Sequence, residues 1–344
     1  MKILYGINAT GNGHISRARI IIAELKKRGH DISCIISGRN DDSLYDIGEF
    51  KPFVLKKGFT FSKKGGRIKY LRTFFNIDLI QFVKDIKSID EQFDLVITDF
   101  EPVSAYFSRI KNIPALGIGH QYSFYKNIPM TIKMRFTRIL FPYIYTPIKN
   151  VIASHFFHFN QHILPPFLSK TITNHKLKAN SKDNVLVYLA WEELEKMIAL
   201  LHQIEEKHFI YYCDIQNQKV VKNVTLKPFS ENGFKNDLIE NKYLITNAGF
   251  QLPAEALFVG KKILCKPLDG QPEQEHNAKI LNDLGYATIS KTIDINSINN
   301  WLHSSKKIKI DFPNPLKLII DIIENKNKDF SYEIDKLWQI KKTY

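Results

Sequence analysis

Cysteine is nearly absent from this chain: three residues in 344 (Cys34, Cys213 and Cys265), far apart and each inside an apolar run. An odd, scattered set excludes a disulfide framework and a cysteine-built zinc site, and it fits a reducing compartment. Long apolar stretches are missing too, and none approaches the roughly 20 residues that span a bilayer. The N-terminus, MKILYGINATGNGH, turns polar and glycine-rich too early for a secretion signal. With 44% hydrophobic and 24% charged residues, 14 prolines and 16 glycines, disordered and collagen-like chains are excluded. The expectation is a cytoplasmic chain long enough for about two domains of roughly 150 residues each.

The most informative absence is of negative charge. Lys and Arg total 49 against 35 acids, a net charge of +14, yet residues 102–182 hold no Asp or Glu and carry 11 of the positive charges. Such a field faces something anionic: nucleic acid, a membrane surface or a phosphorylated substrate. An AT-rich coding sequence explains abundant lysine but not missing carboxylates. Within the segment, Lys133, Arg135 and Arg138 interleave with Ile132, Phe136, Ile139, Leu140 and Tyr143 up to the break at Pro142. Lys63, Lys64, Arg67, Lys69, Tyr70, Arg72, Phe74 and Phe75 repeat the basic-aromatic theme. Surfaces of this kind lie well on anionic lipid headgroups, so peripheral contact with the inner face of a membrane is one expectation for Lys133, Arg135, Phe136 and Arg138. An ordinary core helix with a basic edge is the other. No nucleic-acid-binding motif accompanies the charge, so nucleic acid is not expected as a partner.

What is present is a repeated alternation of strand and helix. KILYGI (2–7), DISCIIS (31–37), DLVITD (94–99) and 114–118 read as buried strands, with a helix from Ile15 to about Arg28 after the first. The pattern restarts after residue 183 with VLVYL (185–189), 209–213, YLIT (243–246) and 263–266, separated by helical stretches. Strands alternating with helices mean βαβ units and mostly parallel sheets, so the fold class is α/β with two doubly wound, Rossmann-like domains. The expected bounds are 1–165, 183–314, and a helical tail over 315–344 packing back over the interface.

Gly11-Asn12-Gly13-His14 lies directly after the first strand and opens a helix. Glycines let the backbone approach a ligand, and the helix N-terminus offers N–H groups and partial positive charge to a phosphate. A Walker loop would end in Gly-Lys-Ser/Thr, which is missing. A dinucleotide fingerprint would want a third glycine or alanine where Ser16 stands and an acid where Ser37-Gly38-Arg39 stands, although Arg39 could greet an NADP phosphate. His14, at a strand's carboxyl end, is a candidate general base. Asp99-Phe100-Glu101-Pro102 ends another strand, so Asp99 can orient His14, with Glu101 as the substitute candidate or as a helix cap. The D-x-E pair alone is a poor metal site, and no metal is expected. His120 and Gln121 follow a third strand and are candidates to touch an acceptor.

The second half holds Asn247-Ala248-Gly249-Phe250-Gln251, then Glu255, Gly260, Glu273-Gln274 and Asn277-Ala278. Gly249 lets the backbone approach a diphosphate, Glu255 can accept hydrogen bonds from a ribose diol, and Glu273 and Gln274 can bind sugar hydroxyls. This arrangement resembles the donor-binding half of GT-B nucleotide-sugar glycosyltransferases. It is similar to the lipid-linked GlcNAc transferase of peptidoglycan synthesis (family 28-like) and to UDP-sugar transferases. Gly11–His14 resembles their N-terminal glycine-rich loop ending in histidine. The sequence departs from them in Asn247 for His, Glu273 for Asp, and Gly260-Lys261-Lys262 for Gly-x-Pro.

The resemblance implies two facing domains, an N-terminal one for the acceptor and a C-terminal one for the donor. It also implies sugar transfer from a nucleotide sugar, UDP-sugar favoured, to a hydroxyl of a glycan or lipid-linked acceptor in cell-envelope synthesis. Transfer would be inverting and metal-independent, with no cofactor beyond the donor substrate. Two alternatives remain: a nucleotide-sugar 2-epimerase, which shares the architecture but needs no acceptor and no basic, aromatic face, and a non-enzymatic nucleic-acid-binding protein, which would leave the Gly249–Gln274 pattern without an explanation.

Overall fold

The computed structural model describes residues 1–39, 47–58, 78–138, 144–174, 181–189, 192–304, 307–325 and 328–338, and the backbone alone of 63–64, 67–68 and 342–343. The chain divides into two units: residues 1–62, 69–169 and 313–339, and residues 63–68, 170–312 and 340–344.

The first unit contains β1 (Lys2–Asn8), α1 (Asn12–Lys27), β2 (Asp31–Ser37), β3 (Phe53–Lys56), α2 (Leu79–Lys87), β4 (Leu95–Asp99), α3 (Pro102–Lys111), β5 (Ala115–Gly119), α4 (Ile132–Thr137) and β6 (Val151–Ala153). Its strands pair in the order β3-β2-β1-β4-β5-β6, all parallel. Alternation along β1 sends Ile3, Tyr5 and Ile7 into the core that holds α1. Leu4 joins Val96 against Phe82 and Ile86 of α2 and Val103 and Phe107 of α3 on the opposite face. α1 starts at Asn12, three residues earlier than periodicity suggests, so His14 belongs to its first turn rather than to the loop. Gly11 is its N-cap, with no capping side chain, and no acid stands in the first turn.

The second unit contains β7 (Lys182–Tyr188), α5 (Leu194–Leu201), β8 (Phe209–Tyr212), β9 (Lys219–Val221), β10 (Val224–Lys227), α6 (Glu231–Glu240), β11 (Asn241–Asn247), α7 (Gln251–Phe258), β12 (Lys262–Lys266), α8 (Pro272–Asp283), β13 (Thr288–Ile289) and α9 (Ile295–His303). The strand order is β9-β10-β8-β7-β11-β12-β13, parallel except for the β9–β10 hairpin.

The tail forms α10 (Leu316–Glu324) and α11 (Ser331–Leu337), both in the first unit. Ile319, Ile320 and Ile323 are fully buried in the core shared with α1. Arg28 and His30, just past α1, reach Glu324 at 2.9 and 3.0 Å, and the Trp338 indole N–H donates to the Ile163 carbonyl. Lys342–Thr343 pairs antiparallel with Lys309–Ile310 in the second unit. Among the described residues no helix is long and apolar enough to cross a membrane.

Candidate active site

The strand order of the first unit reverses between β1 and β4, and open α/β sheets bind ligands at the carboxyl ends of strands at such a point. Ile7 pairs with Asp99 in register, so both strands end at that edge. Asn8, the last residue of β1, donates through its amide to the Phe100 carbonyl and the Tyr145 hydroxyl, each at 3.0 Å. Its Oδ1 accepts from the Thr10 N–H. The turn tied in this way delivers Gly11 and the first turn of α1.

There His14 Nδ1 lies 2.6 Å from Asp99 Oδ1. Donation from Nδ1 to the carboxylate assigns the proton to that nitrogen and leaves Nε2 as the basic one. Nε2 is 3.4 Å from the Gln121 amide nitrogen, which follows β5. One turn along α1, Arg17 is 2% exposed. Its Nε donates to Asp99 Oδ2 at 2.8 Å, and a terminal nitrogen donates to Oδ1. Burial pushes the Asp99 carboxyl up, but the Arg17 guanidinium and His14 outweigh it and hold the group below its usual range. Phe100, next in sequence, has φ 53°, an unusual conformation for a residue with a side chain, and its ring stacks on Tyr145 at 4.8 Å. Such strain costs about 1–3 kcal/mol and gathers at functional sites.

Glu101, the substitute candidate for His14's partner, has another task. It is fully buried and caps α3, accepting from the Val103 and Ser104 N–H groups at 2.8 and 2.6 Å and from the Ser37 hydroxyl at 2.8 Å. The geometry matches the helix-cap alternative: both carboxylate oxygens serve the helix end and β2. His120 is also turned away from His14. It is 1% exposed, its Nδ1 lies 3.1 Å from the Ser154 carbonyl, and its ring packs on Phe124 and His155. Of the pair, Gln121 is the one that meets His14. Arg39 stands at the mouth of the turn, donating to Asn12 Oδ1 at 2.9 Å.

In the second unit the corresponding reversal lies between β7 and β11, and the loops after β11 and β12 are tied together there. Asn247 donates to the Lys266 carbonyl at 3.0 Å, and Asn277 of α8 donates to the Ala248 carbonyl at 3.2 Å. Gln274 Oε1 accepts the Leu268 N–H at 3.0 Å, so this side chain braces the loop, while Glu273 is half-buried. Phe250 is the N-cap of α7. Gln251 donates to Glu255 Oε1 at 3.1 Å, and Lys235 of α6 stands 4.0 Å from the same oxygen.

The two loop glycines share one property. A Cβ added at Gly11 or Gly249 would meet nothing within 4 Å, and neither residue takes a left-handed φ. Neither conformation nor packing against the protein requires glycine at these positions.

Ile132 and Phe136 stand out of α4 at 77% and 74% exposed. Lys133 and Arg135 beside them are exposed as well, while Arg138, half-buried, donates to the Met130 sulfur. Met134 faces inward to Phe100 and Tyr122. Ile139, Leu140, Pro142 and Tyr143, together with Lys69, Tyr70, Arg72, Phe74, Phe75 and the side chains of Lys63, Lys64 and Arg67, lie outside the described residues. Among the described residues no three His, Cys, Asp or Glu side chains are grouped to hold a metal ion.

Two participants were not foreseen from sequence, Arg17 and Lys235. Arg17 carried a legible sign: it lies three positions after His14, on the same face of a helix whose other buried positions are mostly apolar.

Residues 1–305 match the model of the family described as glycosyl transferase family 1. An uncharacterized glycosyltransferase of Methanosarcina acetivorans is 25% identical, over 83% of this chain and 82% of that protein. Among solved structures, the fold is similar to Acinetobacter baumannii MurG (TM-score 0.54, 16% identity, 88% of this chain and 90% of that one). It is also similar to the glycotransferase of kitacinnamycin (TM-score 0.54, 14% identity, 98% and 93%). The chain belongs to glycosyl transferase family 1 and is a glycosyltransferase of the GT-B fold.

Proposed function

We propose that this glycosyltransferase moves a sugar from a nucleotide-sugar donor, UDP-sugar favoured, to a hydroxyl of a glycan or lipid-linked acceptor, with inversion and without a metal ion. The observation that carries the reading is the His14–Asp99 contact at the carboxyl edge of the first sheet. His14 Nε2 takes the acceptor's hydroxyl proton as the oxygen bonds to the anomeric carbon. The bond to the diphosphate breaks and its electron pair leaves with that group. The loops after β11 and β12, with Gly249 open to an approaching ligand and Glu255 beside Lys235, are the support for placing the donor on the second unit. N–H groups at helix N-termini answer the diphosphate's charge.

Thermal unfolding against UDP, GDP, dTDP and CDP tests the donor, with no metal added. A ligand at 100 times its Kd adds about 2.7 kcal/mol of stability, a shift of several degrees. Turnover of the matching nucleotide sugar, with water as a slow acceptor, tests the base: His14→Ala keeps the nucleotide-induced shift and loses turnover. Absence of any shift, or a His14→Ala enzyme that retains most turnover, would overturn the reading.

For the acceptor side, the exposed Ile132 and Phe136 among cations, in a segment without carboxylates, favour a lipid-linked substrate met at an anionic membrane surface. Co-sedimentation with phosphatidylglycerol vesicles is expected, to be lost in Ile132→Glu/Phe136→Glu. Binding equal to that on neutral vesicles would sink this part alone.

A further inference from the structure

A buried carboxylate whose only cationic partner is an imidazole draws a proton onto that imidazole, because the ion pair is far better than a bare buried charge. A histidine that already carries its proton cannot accept another. The surroundings of Asp99 differ from that simple pair. Arg17 grips both carboxylate oxygens, and the same guanidinium lies 3.1 Å from His14 Nδ1. The guanidinium carries a full positive charge, so that close approach becomes strongly repulsive once the ring is charged as well. The end of β5 leaves room for this arrangement: a Cβ at Gly119 would stand 3.0 Å from the Arg17 guanidinium and 3.4 Å from Asp99 Oδ1.

We propose that Arg17 is a positioning residue for the base: by matching the charge of Asp99 and crowding the Nδ1 side of His14, it holds the pair as neutral imidazole and carboxylate, with Nε2 free to take a proton. The catalytic meaning rests on the proposed role of His14, but the electrostatic effect does not. Among the described residues, the groups facing His14 are Asp99 from β4, Arg17 from α1 itself and the uncharged Gln121 amide after β5. From β1, the fully buried Tyr5 hydroxyl senses both Asp99 and Arg17. Burial pushes its ionisation far up, so it stays protonated throughout.

The test is the titration of the His14 ring, followed by proton–carbon NMR on the full chain, which needs no substrate. In Arg17→Gln the midpoint should rise, the direction that follows from losing a neighbouring cation. In Arg17→Lys, which keeps charge without the fork, it should stay near wild type. Where Arg17→Gln does not fold, Asp99→Asn against Asp99→Asn/Arg17→Gln supplies the same comparison, and the midpoint must rise when the arginine's charge goes. A midpoint indifferent to Arg17 in both backgrounds overturns the proposal. In turnover, Arg17→Gln should lose activity mainly on the acid side and recover toward wild type at higher pH, whereas a merely structural role would lower activity evenly at every pH. If no nucleotide sugar turns over, the transferase reading fails while the NMR result still decides the proposal for Arg17.

Discussion

Asp99 and Glu101 sit two residues apart, both wholly buried, yet their environments act in opposite directions. Burial raises the Glu101 carboxyl, and the Ser104, Val103 and Ser37 donors only partly offset it. Asp99 feels the same burial, but Arg17 first and then His14 outweigh it, and its folded value lies below the ordinary 3.8. A carboxyl depressed in the fold adds stability that is fully present above its unfolded value and disappears as pH falls through the folded one. Breaking a buried ion pair costs about 3–5 kcal/mol. Urea unfolding should therefore show Asp99→Asn well below wild type at neutral pH, with the gap narrowing below about pH 4. A gap independent of pH would mean that Asp99 is not held ionised. Gly249 gives a second residue-scale expectation. Because an added Cβ meets nothing within 4 Å, Gly249→Ala should change unfolding free energy by under about 1 kcal/mol. Nucleotide affinity should nonetheless weaken by about tenfold or more as the methyl occupies the ligand's approach. Calorimetric titration and melting of the same variant separate the two effects.

Among the elements, α3 seats itself on β1 through the absence of one side chain. A Cβ at Gly6 would fall 2.0 Å from Ser104 Oγ and 2.6 Å from Ser104 Cβ, so the strand and helix close up only because that methyl is missing. Gly6→Ala should cost about 1–3 kcal/mol in chemical denaturation. Part of that cost should return in Gly6→Ala/Ser104→Gly, the non-additivity expected of touching residues. The order of strands and helices was readable because β1, β2 and β4 are buried on both faces and so appear as continuous apolar runs. The His14–Asp99 contact was readable for a related reason: Asp99 ends one such run, and His14 opens the helix that follows another. The short outer strands β3 and β6 and the β9–β10 hairpin were not, since three or four residues leave no period to detect. Arg17 was missed because a cation on a helix is usually solvated, although its place three positions after His14 on the buried face was there to be read. Glu101 and His120 carry the same chemistry as their neighbours, and the backbone alone decides that one caps a helix and the other faces phenylalanines. The left-handed turn at Phe100 left no trace in sequence, since nothing marks a phenylalanine for φ 53°.

For the molecule as a whole, the first unit is discontinuous. Its core is completed by Ile319, Ile320 and Ile323, which come from beyond the second unit in sequence. Ile320→Ala should cost about 2–5 kcal/mol, and a chain ending at Phe312 should lose the cooperative unfolding of the first unit, read by hydrogen exchange across β1 and β4. During synthesis, this arrangement sets a schedule. The six strands of the first sheet leave the ribosome before any of α10 exists, and the core they share with α1 must wait for Ile319, Ile320 and Ile323 until the whole second sheet has been made. A nascent chain in that interval is a natural client for a holding chaperone. A stop codon before Leu316 would yield a protein with His14, Asp99 and Arg17 all encoded and no finished core beneath them.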